Sequence, residues 1–277
     1  STGERMDSTT ADLNHRQFDA ISQLIYSKCG ISLKKGKEAL VRARLMKRLR
    51  ALKLKTIDDY MAVLDSDRGE REIGTLIDVM TTNKTSFFRE AAHFDFLVDK
   101  VIPHIRSPKM RFWSAACSSG EEPYTLAMVL RESIPQIDRV DVLILATDIS
   151  NEMLTIARQG AYSPERAADI PRALRRKYFQ PSAGGGQNGF RASNDLKKMI
   201  RFGALNLMNP WPMKGPFNAI FCRNVMIYFD RPTQQALIDR FWDLLEPGGY
   251  LFVGHSEGLS GIKHRFQYTK PAVYKKK

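Results

Sequence analysis

The spacing of hydrophobic residues changes near residue 80 of this 277-residue chain. Before that point apolar residues recur at helical spacing, as in Val41, Leu45 and Leu49, and no stretch alternates in the way typical of a strand. Beyond it, continuous apolar runs such as 141–147 and 217–222 alternate with helical patterns. Such runs indicate a parallel sheet covered by helices on both faces. We therefore predict an α/β protein with a small all-helical domain at its start.

Four helices are predicted in the first domain. Asn14, with Gln17 three residues later, forms a capping-box pattern, and Gly30 ends that helix. The second helix covers about 37–53, the third follows Thr56 as its N-cap, and a fourth completes the domain.

The second domain contains one segment that breaks the alternation of strands and helices. Short strand patterns surround three glycines at 184–186. We predict a small antiparallel β insert there, covering about 178–203, with strands at 178–180, 189–192 and 199–202. The predicted organisation is thus a flexible start at 1–12, a helical domain at 13–82, and an α/β domain with this insert at 83–277.

Basic charge is concentrated in three stretches. The chain has 43 Lys and Arg against 30 Asp and Glu, a net charge of +13. Eleven basic residues and one acidic residue lie in 28–55, eight and one in 172–201, and six basic residues in 263–277. Such patches attract polyanions, which include nucleic acid, anionic membranes and acidic protein surfaces. The hydrophobic share of 43% excludes a disordered chain.

The spacing of cysteines and histidines excludes several kinds of site. Cys29, Cys117 and Cys222 are far apart, and the five histidines have no metal-ligand spacing, so we predict no metal. No apolar run approaches the roughly 18 residues of a membrane helix, and the first twenty residues hold no signal-peptide core. We therefore expect a soluble cytoplasmic protein.

The loop after the first strand of the second domain has the features of a ligand site. Small residues at 114–120 precede a helix that begins near Pro123, and they allow a ligand to approach free backbone N–H groups. Asp148 ends the next strand, where a carboxylate can accept both hydroxyls of a ribose. Glu121 and Glu122 favour a cationic ligand, such as a sulfonium with an α-amino group, over a pyrophosphate. The alternative is an ordinary turn between a strand and a helix.

Two other segments place polar residues where a ligand would bind. Arg223 and Asn224 follow the apolar strand 217–222, at the carboxyl end that faces the crevice of a parallel sheet. Residues 82–90 combine Asn, Thr and Arg at the junction of the two predicted domains. For both segments the alternative is structural: a strand end with a capping Asn, and a capped linker.

Residues 254–258 match the G-x-S-x-G pattern of hydrolases. That class of enzyme needs an acidic residue and then a histidine later in the chain. His264 follows, but the sequence has no Asp or Glu beyond residue 258. We therefore reject a hydrolase.

Four segments together resemble the chemotaxis receptor glutamate O-methyltransferases, the CheR family: 81–90, 113–124, 220–229 and 254–257. The resemblance extends from about Asn14 to Tyr274. It implies an N-terminal helical domain joined to a Rossmann-like class I methyltransferase domain that binds S-adenosylmethionine and holds a small β insert. Cys117 stands where the family usually has Ala or Gly.

The resemblance also implies roles for single residues. Arg89 and Tyr228 would stand nearest the transferred methyl group. Contacts to S-adenosylmethionine would come from residues spread over the second domain and its junction with the first: Asn83, Thr85, Arg89, Glu122, Asp148, Asn206, Leu207, Asn224 and Val225.

The implied reaction forms glutamate γ-methyl esters on chemoreceptors and releases S-adenosylhomocysteine. A glutamate carboxylate has a pKa near 4.3, so it is already an anion at pH 7 and needs no general base. Receptor methylation helices are rich in acid in this family. We expect them to dock on Arg44, Lys47 and Arg48, which are predicted to share one face of the second helix, opposite its apolar stripe. A receptor tethering peptide is a further candidate partner for the β insert, and the chain is expected to be a monomer.

Two other functions stay open. A nucleic-acid methyltransferase would suit the net charge of +13. However, the Pro-Pro-aromatic turn usual in amino-group methyltransferases is absent, and the basic helix has no aromatic residue for base stacking. A non-catalytic S-adenosylmethionine-binding adaptor would not need Arg89 or Tyr228. We favour the receptor methyltransferase, with no nucleic-acid partner and no insertion into a membrane.

Overall fold

The computed structural model describes residues 12–81, 84–184 and 187–277. The chain divides into two units, Ser1–Asn83 and Lys84–Lys277. The first is all-helical and the second is α/β, so the predicted fold class is confirmed. The predicted flexible start lies almost wholly outside the described residues. No helix in the described ranges is both long enough and apolar enough to cross a membrane.

The first unit contains the predicted helices in the predicted order. The capping box is confirmed, because Gln17 N donates to Asn14 Oδ1 at 2.8 Å and Asn14 N donates to Gln17 Oε1 at 3.1 Å. Gly30 ends that helix in the left-handed conformation, with φ 75°. Within the described part of this unit, residues 12–81, the helices are α1 (His15–Cys29), α2 (Glu38–Leu52), α3 (Ile57–Leu64) and α4 (Gly69–Met80).

Arg48 lies beside the buried stripe of α2 rather than opposite it, because it follows the buried Leu45 by three residues, about one helical turn. Its guanidinium donates to both carboxylate oxygens of Glu72, at 2.7 and 2.9 Å. Tyr60 Oη donates to the same carboxylate at 2.7 Å. The prediction that Arg48 shares the outward face with Lys47 is therefore wrong. Arg48 instead pairs with the buried Glu72 inside the first unit.

The second unit is built on a seven-stranded sheet. The apolar runs predicted at 141–147 and 217–222 form β2 and β7, and β7 is buried at every position. The strands of the unit in chain order are β1 (Lys109–Ser114), β2 (Asp141–Asp148), β3 (Ala161–Tyr162), β4 (Phe179–Gly184), β5 (Gln187–Ala192), β6 (Ile200–Ala204), β7 (Phe217–Cys222), β8 (Leu245–Val253), β9 (Gln267–Lys270) and β10 (Val273–Lys275).

Helices separate most of these strands. Ala92–Phe96 continues into a π-helical turn at Leu97–Val101 and a 3-10 turn at Ile102–His104, and further 3-10 turns lie at Ile137–Arg139 and Met226–Tyr228. The α-helices of the unit are α5 (Ala92–Phe96), α6 (Glu121–Ser133), α7 (Asn151–Gln159), α8 (Pro164–Ala167), α9 (Arg172–Tyr178), α10 (Asn194–Lys197) and α11 (Arg231–Leu244).

The large sheet has the order β6-β2-β1-β7-β8-β10-β9. The pairs from β6 to β8 are parallel, whereas β10 is antiparallel to both β8 and β9. The chain builds outward from β1 through β2 to β6 and then returns to place β7 on the other side of β1. Ligands of open parallel sheets bind at the carboxyl ends of strands beside such a reversal, so a site is expected at the carboxyl ends of the paired strands β1 and β7.

The small antiparallel sheet has the order β3-β5-β4. Two of its strands, β4 and β5, match the predicted insert. The prediction that the strand at 199–202 belongs to the insert is wrong, because β6 pairs in parallel with β2, with Ile200 opposite Ile144. The two-residue β3 takes the third place in the small sheet. A short apolar strand suits either sheet, so long-range pairing decides its place.

Candidate functional site

The loop from β1 to α6 is held in shape by its own residues. Ser114 Oγ donates to Glu122 Oε1 at 2.6 Å across the buried base of the loop. Gly120 adopts a left-handed conformation with φ 101°. A Cβ at this position would lie 2.8 Å from Tyr162 Oη and 2.9 Å from the Ala157 Cβ, so only glycine fits. The predicted ligand loop therefore has one tightly determined conformation, with Glu122 buried beneath it.

Asp148 stands at the carboxyl end of β2 and orders the adjoining backbone. Its Oδ2 accepts the Ser118 N–H at 2.8 Å and its Oδ1 accepts the Ser150 N–H at 2.9 Å. Burial raises the pKa of Asp148, against the lowering effect of these N–H donors. Each carboxylate oxygen has a second lone pair, so the side chain retains the capacity to accept ribose hydroxyls.

Arg223 joins the carboxyl end of β7 to the start of α6. Its side chain is 2% exposed, and its Nε donates to Glu122 Oε2 at 2.8 Å. Its Nη1 donates to the backbone oxygen of Arg89 at 2.8 Å and to His93 Nδ1 at 3.1 Å. No role for Arg223 is predicted from the sequence, although an arginine directly after a fully apolar strand signals a buried ion pair.

The carboxylate of Glu90 and the imidazoles of His93 and His255 place ligand atoms within 4.8 Å of one another. This is the only such group found among the described residues. Arg223 Nη1 lies 3.1 Å from His93 Nδ1 and 3.6 Å from Glu90 Oε2, so a guanidinium already supplies positive charge there. Burial, with Arg223, His255 and Lys270, lowers the pKa of His93 to about 3. A second cation is disfavoured at this place, and we assign no metal to it.

The segment that leads into the second unit is anchored at two aromatic residues. Phe87 is buried against Tyr162 and Phe179 at centroid distances of 4.9 and 5.7 Å, and Phe88 N donates to Thr125 Oγ1 at 3.1 Å. Two predicted site residues lie on this segment, and a third falls outside the described residues. Thr85 and Arg89 are half-buried, the Arg89 guanidinium donates to Lys84 O, and Asn83 is the residue not described.

The predicted adenine contacts follow β6, next to the Asp148 end of β2. Leu205 N donates to Asp148 O at 3.0 Å, which joins the two strand ends. Asn206 Oδ1 accepts the Met208 N–H at 3.0 Å, and the buried Leu207 offers its carbonyl to Arg240 at 2.6 Å. The structure thus brings these residues to the same edge of the sheet as Asp148.

The remaining predicted residues lie on the loop after β7. Asn224 has φ 64°, in the left-handed region, and Val225 follows it half-buried. Tyr228, also half-buried, ends the 3-10 turn, and its N–H donates to Val225 O at 3.1 Å. Arg223 connects this loop to Arg89 and Glu122, so residues from three separate segments of the sequence are joined by one buried guanidinium.

These groups fit a ligand that joins a nucleoside to a cationic amino acid. Two carboxylates, the buried Glu122 at the start of α6 and the half-buried Asp148 at the end of β2, carry the charges that an ammonium group and ribose hydroxyls would need. Ser118 Oγ is buried and has no hydrogen-bond partner in the described part of the chain. An unsatisfied buried hydroxyl of this kind is a candidate ligand contact.

Comparison with known proteins gives one consistent result. The model of the CheR methyltransferase SAM binding domain matches residues 83–275, and that of the CheR methyltransferase all-alpha domain matches residues 16–81. The chain is 41% identical over 263 residues to the chemotaxis protein methyltransferase of Escherichia coli K12, covering 95% of this chain and 91% of that protein. It is 38% identical over 286 residues to the chemotaxis protein methyltransferase of Borreliella burgdorferi, covering 100% and 99%. A probable chemotaxis protein methyltransferase of Rhizobium etli is 40% identical over 258 residues, covering 91% and 96%.

Proposed function

The chain belongs to the CheR family of S-adenosylmethionine-dependent chemotaxis methyltransferases, and we propose that it methylates the γ-carboxylate of glutamates on chemoreceptors. The observation that carries the proposal is the state of the acid–base groups at the site. Glu122 is paired with Arg223, Asp148 accepts two backbone N–H groups, and His93 Nδ1 accepts from Arg223. None is placed as a free general base, which suits an acceptor that is already an anion at pH 7.

Binding of S-adenosylmethionine is proposed to use the edge of the sheet where β2, β1 and β7 end. When bound, this cofactor supplies an electrophilic methyl group on a sulfonium. Glu122 would attract the charged amino-acid portion, and Asp148 would accept the ribose hydroxyls. The other contacts carried over from the family are Asn83, Thr85, Arg89, Asn206, Leu207, Asn224 and Val225.

Arg89 and Tyr228 are proposed to place the receptor carboxylate. Arg89 has a fixed backbone, because its carbonyl accepts the Arg223 guanidinium at 2.8 Å, while its own side chain is half-buried at the surface of the unit. Tyr228 is held by its turn. One guanidinium and one phenol suffice to align a carboxylate for in-line attack and to exclude water, without lowering its nucleophilicity as a larger set of donors would.

The receptor is proposed to dock through the first unit. Lys47 is exposed and Arg44 is half-exposed on α2, and Arg48 is removed from the set because it pairs with Glu72. A tethering peptide of the receptor would add to the small sheet, whose β5 carries Arg191. The protein is proposed to act as a monomer on the cytoplasmic methylation helices.

A methyl-transfer assay tests the proposal. Radiolabelled S-adenosylmethionine is incubated with the protein and either receptor cytoplasmic fragments or RNA. Label on the receptor that is released by mild base supports a glutamate ester. Label on RNA alone supports the nucleic-acid methyltransferase instead. Cofactor binding by calorimetry without label on any acceptor supports the adaptor.

A further inference from the structure

The segment Gly254–Gly258, rejected above as a hydrolase nucleophile elbow, holds a carboxylate with an unusual set of partners. Glu257 is buried at 6% exposure. Its Oε1 accepts N–H groups from Gly254, at 2.8 Å, and from Asn224, at 2.5 Å. Its Oε2 accepts the Ile227 N–H at 2.9 Å. Burial raises the pKa of this carboxyl, and the backbone N–H groups act against that rise because they stabilise the charged form.

Two of these N–H groups, those of Asn224 and Ile227, lie on either side of Val225 on the loop that follows β7. Asn224 is in the left-handed region, with φ 64°, a conformation that costs energy for any residue other than glycine and is best tolerated by Asn. The bond to Glu257 compensates this cost. Ile227 lies inside the 3-10 turn that ends at Tyr228. One side chain therefore fixes the backbone of the whole loop.

The neighbouring glycine belongs to the same arrangement. A Cβ on Gly254 would lie 2.5 Å from Asn224 Oδ1 and 2.7 Å from Glu257 Oε1. Both contacts are shorter than real side chains allow, and the carboxylate is held in place by the N–H groups of Gly254, Asn224 and Ile227. Glycine at the end of β8 thus permits the loop after β7 to pack directly on the carboxylate.

We propose that Glu257 is a positioning residue: it sets the loop that carries Asn224, Val225 and Tyr228, and so aligns the cofactor with the methyl-accepting carboxylate. This role rests on the proposed function, since these three residues are the proposed contacts. A carboxylate suits the task because both oxygens only accept hydrogen bonds. An amide in its place would point an NH₂ group at a backbone N–H.

Glu257→Gln is the direct test, because it keeps the size of the side chain and changes only the hydrogen bonding. At saturating cofactor and receptor we expect turnover to fall by about 30-fold to several hundredfold, the range found when a transition-state contact is displaced. The cofactor dissociation constant, measured by calorimetry, should rise several-fold. The KM for receptor should stay within about twofold, because docking uses other surfaces. Glu246→Gln, at the other end of β8, is the matched control, and we expect its turnover and KM to be unchanged.

A purely structural role would instead lower the melting temperature while leaving turnover per folded molecule unchanged, and that result overturns the proposal. If Glu257→Gln does not fold, Gly254→Ala provides the second test. It keeps the glutamate but crowds both its carboxylate and Asn224, and the same loss of turnover is expected; normal turnover would contradict the role. Wild-type protein that binds cofactor but methylates no receptor would refute the proposed function. The calorimetric comparison of variant and wild type would still test the loop.

Discussion

The Nε of Arg223, directly after β7, donates to the Oε2 of Glu122, in the first turn of α6, at 2.8 Å. Both side chains are nearly inaccessible, at 2% and 11%. A buried ion pair gains little over an apolar pair, but loss of one partner leaves an uncompensated charge. We therefore expect that neither residue can be replaced alone without loss of stability. Arg223 also joins Glu122, the carboxylate proposed for the cofactor, to the backbone carbonyl of Arg89.

Replacement of Arg223 by Met is expected to lower the free energy of unfolding by about 3–5 kcal/mol, because Glu122 is left buried and unpaired. Urea denaturation followed by circular dichroism measures the change. The double variant Arg223→Met, Glu122→Gln should recover much of the loss, since the unpaired charge is gone. Arg158→Met, an exposed arginine on α7, serves as control. Equal losses in the single and double variants would show that the pairing is not what matters.

Asp148→Ala is expected to weaken cofactor binding by about tenfold to a hundredfold. The change would remove the proposed charge-assisted hydrogen bonds to the ribose, worth roughly 1.5–3 kcal/mol, and it leaves the Ser118 and Ser150 N–H groups without their acceptor. Isothermal calorimetry on the folded variant measures the dissociation constant. Asp141→Ala, at the exposed other end of β2, is the control. Unchanged affinity for the Asp148 variant would place the ribose elsewhere.

Arg89→Ala is expected to lower turnover by about a hundredfold and to weaken cofactor binding much less. The guanidinium is proposed to hold the receptor carboxylate in line, an effect felt in the transition state. Steady-state kinetics at saturating cofactor and receptor separate the two effects. Arg89→Lys should recover part of the turnover, because it restores charge but not the bidentate geometry. A larger effect on the dissociation constant than on turnover would make Arg89 a cofactor contact only.

The sequence predicted those features that depend on local chemistry. The capping box at Asn14 and the strand at 217–222 were predicted correctly because neighbouring residues determine them. The acidic residue at the end of β2 was found for the same reason. Its neighbours in space, by contrast, come from the loop after β1, and only the parallel pairing of β1 with β2 brings them together.

Features that depend on distant partners were missed. Arg223 and Glu122 are separated by 101 positions, and Glu257 and Asn224 by 33, so no local pattern reveals either pair. The same holds for Arg48 on α2, whose ion pair with Glu72 on α4 depends on the packing of the two helices. The role of a buried charged residue is clear only when its ion-pair or hydrogen-bond partner is known, and that partner depends on the folded structure.

The buried His93 predicts a dependence of stability on pH. Desolvation, followed by Arg223, His255 and Lys270, lowers its pKa from 6.5 to about 3. The unfolded chain therefore binds a proton between these values that the folded protein does not, and stability falls as the pH decreases from about 6.5 toward 3. At pH 5 the loss from this residue is about 2 kcal/mol. Denaturation at pH 7.5 and pH 5 should show a smaller difference for His93→Asn than for wild type, whereas the exposed His104→Asn should match wild type. Equal differences for all three proteins would contradict the buried neutral imidazole.

Charge reversal on the basic face of α2 distinguishes a role in receptor docking from a role in solubility alone. Arg44→Glu with Lys47→Glu should raise the KM for receptor by about tenfold or more and remove most of its salt dependence, because charge pairs at a rim are screened within about 10 Å at 0.1 M salt. Cofactor affinity and melting temperature should hardly change. Arg71→Glu on α4 controls for net charge, since it is exposed on the same unit. Arg48→Glu should behave differently from all of these: it sets a second carboxylate against Glu72 and should unfold the first unit rather than weaken docking. A folded Arg44, Lys47 variant that methylates receptor normally at low salt would leave this face with no part in receptor binding.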